Sequence, residues 1–201
     1  MSTLKVDTIL KRTGTGTITV GQSGDTVALP TVTLTTALPV AQGGTGGTSF
    51  SAAGLANTPA FKVYDTGDQS VADNSYVKAT FGTEEYDTDS AFASNKFTVP
   101  SGAGGKYLFY GSFGFNSNAV NDISYADVKL YKNGSGATAS PQQFMYNDTT
   151  GFFRSGVFAY TGTLTLAAGD YIEVYGRIDD INGSSMVFAS RSFAGHKLIG
   201  V

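Results

Sequence analysis

Apolar and polar positions alternate with a period of two through much of the chain, and no long stretch carries the period of an amphipathic helix. The clearest case follows the turn-forming run from Pro100 to Gly105. There Tyr107, Phe109, Phe113 and Phe115 fall on one face of an extended strand. A face this apolar must be covered, and a second layer of strands is the natural cover, so the stretch predicts a β-sandwich. Gly111 and Gly114 lie among the rings. Glycine weakens a strand interior, which marks both as places where a ring or a neighbouring backbone comes close.

From Pro59 onward, strand and turn signals recur at the spacing of a sandwich. The pattern predicts strands over 61–64, 76–81, 96–99 and 127–132. The last runs into Asn133-Gly134, a hairpin turn whose central positions tolerate positive φ. A strand over 157–166 carries Phe158, Tyr160, Leu164 and Leu166 on one side, and Ala168-Gly169-Asp170 turns the chain. The strand over 171–178 points Ile172, Val174 and Ile178 inward and Glu173 and Arg177 outward. Asn182-Gly183 turns again before segments 186–192 and 193–201. About eight to ten strands fit, the size of a jelly roll.

Ahead of this head the pattern thins. Residues 1–40 hold short runs in which Thr alternates with Ile, Val or Leu, at 13–20, 26–29 and 31–38. One copy of such runs cannot close a core, so they are expected to pair with the same runs of sister chains in a symmetric oligomer; the other reading is a flexible tail. Residues 41–58 carry four glycines within five positions and read as a linker. The Lys-Ser or Lys-Thr of a phosphate-binding loop does not follow them. The division expected is 1–40 as a β-rich attachment and oligomerisation segment, 41–58 as linker and 59–201 as a jelly-roll head.

Composition narrows the function classes. Charged residues make up 14% of the 201 and the net charge is -3, so no basic field draws nucleic acid or anionic lipid. The absence of cysteine removes disulfides and thiolate chemistry. No apolar run is long enough for a secretory signal or for the ~20 residues of a membrane span, so neither export by a leader nor membrane insertion is expected.

Five landmarks carry a resemblance over 59–201: Phe97-x-Val-Pro100, Gly105-x-Tyr107-x-Phe109, Val128-x-Leu-x-Lys-Asn-Gly134, Leu164-x-Leu-x-x-Gly-Asp170 and Phe193-x-Gly195. In this order they resemble the globular head of complement subcomponent q and its tumour-necrosis-factor-like relatives. The resemblance implies a ten-stranded jelly roll assembling as a homotrimer, with core aromatics at Phe97, Tyr107, Phe109 and Phe193. Lys197 stands where that family usually has an apolar residue, and no collagen-like stalk precedes the head. At the other end, Leu38-Pro-Val-Ala-Gln-Gly-Gly-Thr-Gly46 with Thr48-Ser-Phe50, and Ser2-Thr-Leu-Lys-Val-Asp-Thr-Ile9, are similar to segments of bacteriophage tail fibres and other virion appendages.

Materials for catalysis are few. His196 is the one histidine and sits in no motif, so a structural or surface role is expected of it rather than general base chemistry. Zinc is not expected with one His and no Cys. The acidic pairs Glu84-Glu85, Asp87 with Asp89, and Asp179-Asp180 could each be half of a calcium site or of a glycosidase dyad, or simply solvated loops. The triplets at Asn133, Asn147 and Asn182 fit N-glycosylation, but Asn133 and Asn182 are already explained as turns.

The run 142–154 mixes aromatic rings with amide, acid and guanidinium groups, and Phe144, Tyr146, Asn147, Asp148, Phe152, Phe153 and Arg154 are its candidate contact residues. Rings stack on apolar sugar faces while amides and acids read hydroxyls. Burial in a trimer interface explains the same residues and is the stronger of the two readings. The expectation is a non-enzymatic virion protein without a cofactor, calcium being the one ion considered. It is a homotrimeric fibre or spike that docks through 1–40 on capsid, portal or tail proteins, and its head meets a host-surface glycan or protein or decorates the particle. A polysaccharide depolymerase is the alternative, and a secreted lectin-like module a third.

Overall fold

The computed structural model describes residues 56–117, 123–137, 143–146, 153–182 and 185–199. The expected attachment segment and most of the glycine-rich linker lie outside them. Among the described residues the chain forms thirteen strands and no helix. In order these are β1 (Ala60–Asp65), β2 (Gln69–Val71), β3 (Val77–Lys78), β4 (Thr83–Asp87), β5 (Phe92–Ala93), β6 (Lys96–Thr98) and β7 (Gly105–Ser117). There follow β8 (Ile123–Lys132), β9 (Ser135–Gly136), β10 (Gln143–Tyr146), β11 (Ser155–Leu166), β12 (Tyr171–Asp180) and β13 (Met186–Lys197). Sheet one has the order β11-β7-β13-β1-β4 with β2 on β13. Sheet two has the order β10-β8-β12-β6-β5 with β3 on β12 and β9 on β8.

The two sheets form a sandwich of jelly-roll type because their alternating apolar faces need each other. Tyr107, Phe109, Phe113 and Phe115 of β7 are all buried, as are Leu164 and Leu166 of β11, Phe188 and Phe193 of β13 and Phe61 of β1. Sheet two answers with Phe97, Ala126, Val128, Leu130, Ile172, Val174 and Ile178. Rings join the layers, with Phe61 stacked on Phe97 at 4.8 Å between centroids and Phe109 edge-on to Phe97 at 5.7 Å. Pairs of this kind contribute roughly 0.5–1.5 kcal/mol beyond the area they bury.

The expected close approach at the β7 glycines is present. A Cβ on Gly111 would lie 2.1 Å from the Ser192 carbonyl oxygen, and one on Gly114 would lie 2.8 Å from that of Ser190. Asn133 and Gly134 have φ of 53° and 79°, the two positive values that a tight hairpin between β8 and β9 requires.

Other boundaries differ from the sequence pattern. Only Val77–Lys78 of the expected strand 76–81 pairs, because the excursion between β1 and β4 crosses from sheet one, at β2, to sheet two, at β3. The buried Arg191 fastens this crossing, donating to the Thr80 carbonyl at 2.7 Å and to the Gly67 carbonyl at 2.8 Å. Segments 186–192 and 193–201, expected as two strands, are the single strand β13 as far as Lys197, with a register shift between Phe188 and Arg191. The edge strand β4 was hidden because Thr83-Glu-Glu-Tyr-Asp87 alternates no apolar residues.

Candidate binding faces

The outward face of sheet two is not a plain solvated surface. Register sets Tyr131 opposite Glu173, Lys129 opposite Tyr175 and Asp127 opposite Arg177, so rings and charges of β8 and β12 interleave. Tyr76 and Lys78 join them from the excursion. Asp127 is fully buried although its strand position points away from the core. Its carboxylate accepts from the Tyr76 hydroxyl at 2.5 Å, the Tyr125 hydroxyl at 3.1 Å and Arg177 Nε at 3.4 Å, with Lys129 Nζ at 4.0 Å. Burial, then the bond to Asp127, holds the Tyr76 hydroxyl well above the usual phenol range, so it stays protonated and goes on donating. Burial likewise raises Tyr125.

Cations lie on the rings of this face. The Arg177 guanidinium stands 4.8 Å from the Tyr76 ring centre and 4.5 Å from that of Tyr125, and Lys129 Nζ is 4.2 Å from Tyr76. Lys96 Nζ lies 4.6 Å over Tyr171, and Tyr131 stacks on Tyr175 at 4.0 Å. Glu173 is on the outward face, as expected, but only 7% exposed. Lys78 reaches across and binds it at 2.6 Å.

The residues singled out in the sequence run 142–154 separate. Gln143–Tyr146 forms the edge strand β10 beside β8, and its register sets Phe144 opposite Asp127 and Tyr146 opposite Tyr125. Asn147, Asp148 and Phe152 lie outside the described residues. Phe153 is half-buried and packs against the core, its backbone bridged to Ile123, whereas Arg154 is exposed. Sequence reasoning did not single out Tyr76, Tyr125, Asp127, Lys129 and Arg177 as a group. The available signal was that the outward positions of 125–131 and 171–177 alternate rings with charges instead of carrying charges alone.

Sheet one presents a different outer face. Across it the register runs Thr161, Tyr110, Ala194, Lys62, Tyr86. Tyr64, Tyr86, Tyr110 and Val157 are its large exposed apolar groups, at 36%, 40%, 38% and 69%. Between them lie the small side chains of Ser112, Ala159, Ser192 and Ala194, and Lys62 pairs with Glu85 at 2.7 Å. His196 is half-buried here, with its ring 6.2 Å from that of Tyr110 and nearly perpendicular to it.

Of the acidic pairs, Glu85 is held by Lys62, and Asp87 caps the β5 turn by accepting from the Phe92 amide at 2.7 Å. Asp180 accepts from the Asn182 amide at 3.0 Å. Among the described residues no three His, Cys, Asp or Glu side chains converge as metal ligands.

No family model and no curated protein matches the sequence. Among solved structures the chain is similar to the globular domain of zebrafish complement 1qA protein, at 18% identity and a TM-score of 0.48, over 70% of this chain and 98% of that one.

Proposed function

We propose that this chain is a non-enzymatic structural protein of a bacteriophage virion: a homotrimeric fibre or spike that moors on the particle through residues 1–40 and presents its jelly-roll head to the host surface or on the particle exterior. The observation that carries the assembly is the outer face of sheet one. Three exposed tyrosines and Val157 stand there among small side chains, with Lys62 paired to Glu85 and Lys106 farther along β7, and tyrosine-rich faces suit burial against another copy. A closed ring is the form such self-association ordinarily takes, and the landmarks from Phe97 to Gly195 supply the expectation of threefold symmetry. The phage assignment draws on the segments 2–9 and 38–50, whose sequences are similar to those of tail fibres. Three heads on one axis multiply weak individual contacts, which is what adhesion of a large particle requires.

Light scattering of the purified full chain tests the assembly: a mass three times the 20.9 kDa chain is expected, and a stable folded monomer overturns it. Labelling the protein on intact particles for electron microscopy tests the location, which is expected on a virion surface or appendage.

A further inference from the structure

We propose that the outward face of sheet two binds acidic, uronate-bearing polysaccharide. The inference deepens the host-surface reading above by naming a ligand class and the residues that meet it.

Charge on this face is layered. The carboxylates of Asp127 and Glu173 lie beneath, with side chains 0% and 9% exposed, while Lys129, Arg177 and Lys78 lie above at 23%, 26% and 31%. What an approaching molecule meets is therefore cationic. With Lys96 the face carries four cations against the covered Asp127 and Glu173 and, at its far end, Asp179 and Asp73, in a chain whose net charge is -3.

Two of these cations are held loosely by acid. Lys129 is 4.0 Å from Asp127, and Arg177 donates to Asp127 and to Asn74 at 3.4 Å each, at the long limit of a hydrogen bond. Tyrosine rings position them instead, which fixes their geometry while leaving donor capacity for a carboxylate from outside. A planar guanidinium meets a carboxylate through paired hydrogen bonds, and lysines add point charges along the row. Stacked Tyr131 and Tyr175 and the half-buried Tyr171 supply ring edges and phenols beside the cations, the mixture of apolar surface and hydroxyl partners that sugar rings use.

Titration calorimetry of the full chain with polygalacturonate oligosaccharides tests this, with neutral dextran oligosaccharides of equal length as the control. Saturable binding to polygalacturonate is expected, weakening as salt rises and absent with dextran. The double variant Lys96→Gln/Lys129→Gln is expected to bind at least tenfold more weakly with unchanged mass by light scattering, since Asp127 keeps Tyr76, Tyr125 and Arg177. Should that variant unfold, Lys96→Gln alone, expected to bind severalfold more weakly, answers the same question. Lys106→Gln, an exposed cation of the opposite sheet, is expected to bind as the parent does. Absence of polygalacturonate binding, equal binding of dextran, or undiminished binding by the sheet-two variants overturns the proposal. A trimer found on the particle that binds no uronate overturns this inference alone, and a monomer that binds uronate overturns the assembly reading alone.

Discussion

Asp170 shows how one side chain closes a junction between strands. Its carboxylate accepts from Lys132 Nζ, Asn133 Nδ2 and the Ala167 amide, each at 2.8 Å, tying the Asn133-Gly134 hairpin to the turn before β12. Hydrogen bonds from Lys132, Asn133 and Ala167 lower its pKa from 3.8 to about 2. A carboxyl whose folded value lies below its unfolded value contributes stability above the unfolded value, and that contribution disappears as pH falls through the folded one. Asp170→Asn is therefore expected to lower the denaturant midpoint at neutral pH, the gap to the parent narrowing between about pH 4 and about pH 2. Parallel urea titrations across that range measure it, and a gap that persists at the acid end removes the electrostatic explanation. Tyr107 is the buried counterpart: burial pushes its hydroxyl up to about 12, and it stays protonated to donate to the Ala103 carbonyl at 2.6 Å.

At the scale of elements, β7 carries the architecture because both of its flanks are paired, to β11 and to β13. Gly111 lets these backbones meet. A methyl group there would strike the Ser192 carbonyl at 2.1 Å and the Tyr160 hydroxyl at 2.6 Å, the same hydroxyl that donates to Ser192 at 2.8 Å. Gly111→Ala is expected to destabilise the head by about 1–3 kcal/mol, read as a lower urea midpoint with an unchanged slope. Both the alternation of Tyr107 to Phe115 and the need for glycine at 111 were legible in the sequence, since each follows from local spacing. The Asn133-Gly134 turn was legible for the same reason. The crossing of 66–82 between sheets was not, because its anchors, Arg191 to Thr80 and Tyr76 to Asp127, span 111 and 51 residues. Nor was the covering of Glu173: alternation predicts which face a residue is on, and only the tertiary path of Lys78 decides whether that face sees water. In the run 142–154, composition pointed to a subunit interface or a recognition site but gave no sign that β10 pairs Phe144 with Asp127.

For the whole molecule, the two sheets turn unlike faces outward, and the proposed self-association and ligand binding divide along this asymmetry. Sheet one bears exposed tyrosines among small side chains; sheet two is a lattice of cations, rings and covered carboxylates. Tyr110 stands near the middle of the first face, between Thr161 and Ala194 in register and 38% exposed, with no place in the core. Tyr110→Glu would set a carboxylate from every copy into the contact, where the neighbouring cation Lys62 is already paired with Glu85. Burying an unpaired charge strongly opposes association, so the variant is expected to weaken the proposed trimer by at least tenfold in the dissociation constant. The fold of each head should survive, because the substitution leaves the inner faces untouched. Light scattering reads the first effect and far-ultraviolet circular dichroism the second. Tyr131→Glu on sheet two is the matched control and should leave the trimer intact. A trimer that tolerates Tyr110→Glu and is broken by Tyr131→Glu would exchange the roles of the two faces, moving the assembly contact onto the surface assigned here to the glycan.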